Sequence, residues 1–386
     1  MSFAKATVVM LVLIGGVVSA QDPWRWTGSF TDKAVTLLIL GDIQIHSRRA
    51  DPMTAFQNLR NTLQRADAVY ANLEGTLVPS QGSDGDIPDK RGWTHPGQAA
   101  PAVLKASNIK VVGVANNVAY GRDNIVETLR VLDAQGIAHA GAGRNIDEAH
   151  KPAIIERKGV KIGFLQYTAR WYREDHQMAT ATAPGVARLL SRDGVTIDAG
   201  DLERVRADIR KLRPQVDIVV VSHHNRDGGT PVQFGAPADT PRAAGGARAD
   251  RTKSEAYQKQ FAHVALDTGA DLVFGHGTHT VQGVELYKGK PILYAIGHSA
   301  FDQPGYEESK DGFVVRAVIV GKQLQRVSFV PVTRDAQNNV LMIDPSGGEG
   351  ARLVGIVKGV SPDVPLRIDG QEIVLLDRSN RSTTSR

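Results

Sequence analysis

Residues 271–282, DLVFGHGTHTVQ, carry His276 and His279 in a glycine-broken turn that follows a short apolar strand. Gly275 and Gly277 oppose a continuous helix there, so both imidazoles project from a loop held at a strand end and can converge on one cation. Taken alone, the pair reads equally well as two ordinary exposed histidines. The metal reading gains weight from other residues sent to the same place. Apolar run 35–40 ends in Gly41-Asp42, 68–71 in Asn72-Leu73-Glu74-Gly75, 111–115 in Asn116-Asn117, and 218–221 in Ser222-His223-His224. Run 272–274 ends in the histidine turn and 292–296 in Gly297-His298. In α/β sheets, functional side chains gather outside the carboxyl ends of strands, where the loops form a crevice. One polar residue after a strand is usually a turn or cap former, but that account is hard to sustain for every one of these ends.

Asp42, Glu74, Asn117, His223, His276 and His279 form the candidate ligand set. Carboxylates, one of them able to bridge, an amide oxygen and neutral imidazoles suit two adjacent divalent ions of the Mn, Zn or Fe kind. Such ions lower the pKa of bound water to roughly 7 and stabilise charge on the attacked group, which is the chemistry of hydrolysis. The chain has no cysteine, which excludes thiolate ligands, iron–sulfur clusters, disulfides and cysteine nucleophiles. Ser222 and Ser299 lie near strand ends without a nucleophile-elbow pattern. The formal charge is +5, with Lys and Arg scattered rather than in runs. That distribution gives no nucleic-acid footprint and suits an anionic substrate or the cell envelope.

These side chains need strands and helices to position them. The 386-residue chain is long enough for a sizeable core. Periodicity predicts helices over 123–135, 202–212 and 255–267, and a hairpin over 152–166 turning at Lys158-Gly159, so the α/β sheet system is mixed. Two long loops, 79–101 and 225–253, interrupt it; for the second, a lid and a disordered insertion are equally open readings. After Asp311 the texture changes to a hairpin over 313–331, a strand at 340–343, a helix at 351–358 and a last strand at 372–376, read as a structural extension with a frayed tail.

Residues 1–20 read as a secretory signal peptide: Lys5, an uncharged, mostly apolar run over 6–18, and Val18-Ser19-Ala20 before a cleavage point at Gln21. The mature chain is then exported, to the periplasm or beyond. The alternative is an uncleaved N-terminal membrane anchor, for which the run is short.

The motifs GD at 41, NLEG at 72, ANN at 115, the stretch 136–154, SHH at 222 and the block 269–297 together resemble the bacterial capsule-synthesis CapA (PGA_cap) family, over about 37–332. The resemblance implies a calcineurin-like metallophosphoesterase fold, a four-layer α-β-β-α sandwich of two mixed sheets, set here at 21–332; the residues after it, 333–386, read as a small β-rich C-terminal extension. It implies a role with poly-γ-glutamate or a similar anionic envelope polymer, alongside capsule-synthesis membrane proteins. By motif, Asp42 matches the first-strand ligand, Glu74 the bridging carboxylate, Asn117 the amide ligand, and His223, His276 and His279 the imidazole ligands. The departures bear on catalysis. Val118 stands where the family has a histidine, and Gln44 where phosphoesterases have one. His224-Asn225 replaces the family's Trp-Gly, and His298 replaces an Asn. His224 or His298, or more weakly His46, is therefore expected to supply the missing acid, with Arg170, Arg173, Arg226 and Arg251 as substrate contacts. Two readings stay open: an exported metal-dependent hydrolase acting on an anionic polymer or phosphoester, and a non-catalytic polymer-binding or assembly subunit.

Overall fold

The computed structural model of the chain describes residues 24–45, 51–77, 93–96, 99–191, 193–225, 252–302 and 310–379. The expected signal peptide, His46, Arg226, Arg251 and most of both long loops lie outside these described residues.

The apolar runs become strands of two mixed sheets. The larger has the order Arg367–Asp369, Glu372–Asp377, Gln323–Arg334, Gly312–Val320, Val35–Gln44, Ala68–Leu73, Ile109–Gly113, Ala138–Ala140, with His298–Phe301 also paired to Val35–Gln44. The smaller runs Val284–Tyr287, Lys290–Leu293, Leu272–His276, Ile218–His224, Val160–Thr168, Ala153–Arg157. In the larger sheet, Val35–Gln44 is parallel to Ala68–Leu73 but antiparallel to Gly312–Val320. In the smaller, four central strands are parallel and the two edge strands antiparallel.

Central strands that are apolar on both faces read as continuous hydrophobic runs, and the residues divide by alternation. Leu37 and Ile39 join Phe164, Ile218, Val220 and Phe274 in a cluster built from both sheets. Leu38 and Leu40, one residue out of phase, pack instead with Leu104, Ile125 and Leu129 of helices Ala100–Ala106 and Arg122–Ala134. On the smaller sheet Val219, Val221 and Val273 pack with Val205, Ile209, Phe261 and Ala265 of helices Ala199–Leu212 and Ala256–Thr268. Each such aliphatic side chain, fully buried, contributes about 1.5–3 kcal/mol relative to exposure. The helices start where capping dictates. Asp198 accepts from the N–H groups of Gly200 and Asp201, and Glu255 with Gln258 forms a capping box.

The run 292–296 is not one strand. Lys290–Leu293 belongs to the smaller sheet and His298–Phe301 to the larger, so the chain crosses between sheets over 294–297. Tyr294, Ala295 and Ile296 are buried throughout the crossing, which hides the break from a hydropathy reading. Gly297 makes it with φ +66, and a Cβ there would lie 2.3 Å from the Asp311 carbonyl oxygen.

The C-terminal strands continue the larger sheet: Glu372–Asp377 pairs antiparallel with Gln323–Arg334. Charge stitches this part to the N-terminal segment. Glu372 is fully buried, accepts from Arg316 Nη1 at 2.9 Å and from the Thr27 hydroxyl at 2.7 Å, and also bonds Ser328. Trp26 and Phe30 lie 5.2 and 5.6 Å from the Arg316 guanidinium. Among the described residues, no helix is long and apolar enough to cross a membrane.

Candidate metal centre

Parallel pairing brings the strand ends into register and their polar residues together. Asp42 sits opposite His298 on one side and Asn72 on the other, and His224 sits opposite His276. Asp42 is fully buried. Its Oδ1 accepts from Asn72 Nδ2 at 2.9 Å, its Oδ2 accepts from the Gly277 N–H at 3.0 Å, and Oδ1 lies 3.1 Å from His276 Nδ1. Gly277 is required for that approach: at φ +84 it aims its N–H at the carboxylate, and a Cβ would stand 2.6 Å from His224 Nε2. His279 adopts φ +58, an uncommon conformation for a residue with a side chain, and this turns its ring onto His298, with Nδ1 2.6 Å from Nε2. His298 stacks on Phe301 at 3.8 Å.

Asp42, His279 and His298 present ligand atoms that all lie within 4.8 Å of one another, and all three side chains are buried. This triad can hold a metal ion. His276 adds to the fit. It is fully buried, with Nδ1 against Asp42 and, among the described residues, no hydrogen bond at Nε2. A buried ring nitrogen without a partner calls for one, and a divalent ion beside a carboxylate supplies it. Burial would raise the Asp42 carboxyl, but contact with His276 and the electrostatic coupling to the His276, His224 and His298 rings outweigh it and hold the group below the usual carboxylate range. It stays an anion, as a ligand must.

A second group flanks the first. Glu74, buried at the end of Ala68–Leu73, has Oε1 3.8 Å from His224 Nε2. Asn117, buried beyond Ile109–Gly113, has Oδ1 2.7 Å from the same nitrogen, and its Nδ2 donates to the Tyr172 hydroxyl at 3.4 Å. Burial pushes the His224 imidazole down to about 3, against the raising effect of Asp42.

The structure therefore brings together Asp42, His276, His279 and His298, with Glu74, Asn117 and His224 beside them. The reading of His276 and His279 as ordinary exposed histidines falls, since both are buried. His223 is not brought to the group. Adjacent residues of a strand point to opposite faces, and His223 lies on the helix side, its ring 4.8 Å from that of Phe261. Burial pushes it, too, down to about 3. His298, expected as a proton donor, stands among the ligand atoms. Gln44 donates to the Thr94 carbonyl at 3.3 Å, and Val118 is buried. Two residues of the centre stand outside the candidate set: Asn72, seen in the sequence only as a polar strand end, holds Asp42, and Gln166 donates through Nε2 to Asn72 Oδ1 at 2.8 Å. The available signal was polarity inside apolar strands.

Fold and cluster define an α/β protein with a metal-competent centre at the carboxyl ends of its strands. Residues 36–242 and 245–303 match the family described as bacterial capsule synthesis protein PGA_cap, and the chain belongs to that family. It is similar to the PGA biosynthesis protein CapA of Bacillus subtilis, 24% identical over 86% of this chain and 80% of the relative. A probable polyglutamine synthesis accessory protein of Mycobacterium tuberculosis is 29% identical over 64% of this chain and 58% of the relative. The capsule biosynthesis protein CapA of Bacillus anthracis is 22% identical over 74% and 64% respectively.

Proposed function

We propose that this protein is an exported, metal-dependent hydrolase of capsule or related polymer biosynthesis, acting on an anionic envelope polymer such as poly-γ-glutamate or on a phosphoester. The observation that carries the reading is the buried triad of Asp42, His279 and His298, whose ligand atoms lie within 4.8 Å of one another, with His276 Nδ1 against Asp42. Asp42, His276, His279 and His298 would hold one ion, with Glu74 and Asn117 available to a second, both of the Mn, Zn or Fe kind. Ions bound there would supply Lewis acidity and a water acidified to near neutrality. The chain's own residues do the rest. Asn72 and the Gly277 N–H orient Asp42, and His224, rather than His298, is left to hold a proton beside Asn117.

In this reading the architecture is the four-layer α-β-β-α sandwich, whose strand-end crevice receives the polymer. Arg170 lies 5.7 Å from the Tyr172 ring, whose hydroxyl meets Asn117, its charge acts on His224, and it is the described arginine offered to meet an anionic group at the centre. Arg173 is engaged with Asp175 at 2.7 Å. The basic chain suits an anionic polymer presented by membrane-bound synthesis proteins.

The test is elemental analysis of the purified protein beside the double variant His276→Ala/His279→Ala, followed by screening with phosphoester and γ-glutamyl substrates. About two ions per chain, lost in the variant, with turnover of either substrate class, is the expected result. No bound metal after incubation with Mn or Zn would overturn it. A second reading, a non-catalytic subunit that holds the polymer during assembly, draws on Val118, an apolar residue at the family's histidine position. Metal binding without turnover of any such substrate would favour it.

A further inference from the structure

A chain of hydrogen bonds crosses between the sheets behind the centre, and its polarity can be read from one end. The Ala115 backbone N–H, which can only donate, meets Gln166 Oε1 at 2.7 Å. Gln166 must then present its NH2 to Asn72 Oδ1, 2.8 Å away. Asn72 must in turn present its own NH2 on the other side, where Asp42 Oδ1 lies at 2.9 Å and His224 Nδ1 at 3.4 Å. The two hydrogens of that one NH2 serve these two acceptors. Gln166 and Asn72 are buried, so water has no place in the chain. Gly113 makes room for it, since a Cβ there would stand 2.4 Å from Gln166 Cδ and Nε2.

The last link carries the inference. A nitrogen that receives a hydrogen bond from Asn72 carries no proton, so His224 is the Nε2–H tautomer and not the imidazolium. Its N–H then donates to Asn117 Oδ1 at 2.7 Å, on the side that faces Glu74. We propose that Asn72, locked by Gln166, is the positioning residue of the centre: it ties Asp42 as a ligand and sets His224 as a hydrogen-bond donor, through Nε2, to Asn117 on the side of Glu74. The use of that donor in hydrolysis rests on the function proposed above; the polarity of the chain does not.

The experiment is a long-range proton–nitrogen NMR spectrum of the full chain, labelled with nitrogen-15 histidine and stripped of metal with chelator. A His224→Gln variant assigns the signals. Wild type is expected to show His224 Nδ1 as a bare acceptor and Nε2 protonated. Asn72→Asp replaces a group with two hydrogens by one with at most one, which Asp42 claims. The oxygen facing Nδ1 becomes an acceptor, and the proton moves to Nδ1, a change of about tenfold or more in the ratio of the two forms. Unchanged signals from His139 and His263, remote from the centre, verify that the variant is folded. A protonated Nδ1 in wild type overturns the proposal, as does a folded Asn72→Asp chain that keeps Nδ1 bare. If that variant fails to fold, the wild-type spectrum decides. Metal content is measured separately. A chain with the expected tautomer but no affinity for Mn or Zn keeps the relay and loses the hydrolase; the reverse pattern does the opposite.

Discussion

His223→Leu separates the two faces of the strand that ends at the centre. His223 is fully buried against Phe261, and burial pushes its imidazole from 6.5 down to about 3. The sign follows from linkage. Below pH 6.5 the unfolded chain binds a proton on this ring and the folded chain does not, so the stability present above that pH is lost progressively as pH falls toward 3. At pH 5 the difference spans about 1.5 pKa units, or about 2 kcal/mol. His224 behaves likewise, so the pair together removes about 4 kcal/mol from the metal-free protein between pH 8 and 5. Leucine at 223 does not titrate. Any cost of its shape is the same at both pH values and cancels in the difference. Urea denaturation in chelator at pH 8 and pH 5 should therefore show the variant losing about 2 kcal/mol less than wild type. The variant should also keep its metal, because position 223 lies on the helix side of the sheet. An identical pH dependence would refute the neutral buried ring, and a loss of bound metal would refute its orientation.

Asp42→Asn leaves an amide where the Asn72 NH2 and the Gly277 N–H both demand an acceptor. One of them then faces another donor, so affinity for Zn or Mn, measured by calorimetry, should fall at least about tenfold and metal-free stability by about 1–3 kcal/mol. Gly277→Ala sets a methyl 2.6 Å from His224 Nε2 at φ +84. Overpacking and a left-handed alanine together should destabilise by about 2 kcal/mol or more, read by denaturation, with weakened metal binding through the displaced N–H. Glu372→Ala leaves Arg316 buried without its carboxylate. Loss of one partner of a buried pair costs about 3–5 kcal/mol, so thermal unfolding should move down by several degrees while metal stoichiometry in the folded protein stays unchanged.

The strand ends were legible because each apolar run stops at a residue that cannot be buried without a partner, and parallel pairing then aligns such stops. What hydropathy could not supply was phase. Run 218–221 is buried on both faces, so nothing in it says whether His223 or His224 turns toward the other sheet; that is decided by the register with Leu272–His276, a contact nearly fifty residues away in the chain. The crossing over 294–297 was hidden for the same reason, since residues buried in either sheet look alike. The C-terminal strands were visible as strands but not as a continuation of the larger sheet beside Gln323–Arg334, because pairing partners are not encoded in periodicity. The residues most easily overlooked were those that orient others. Gln166 interrupts the apolar strand Val160–Thr168, and in a two-sided buried strand an unexplained amide is itself a statement that another polar group lies opposite. The Gln166 and Asn72 amides meet that need in each other, and the link they make between the two sheets is what orients Asp42.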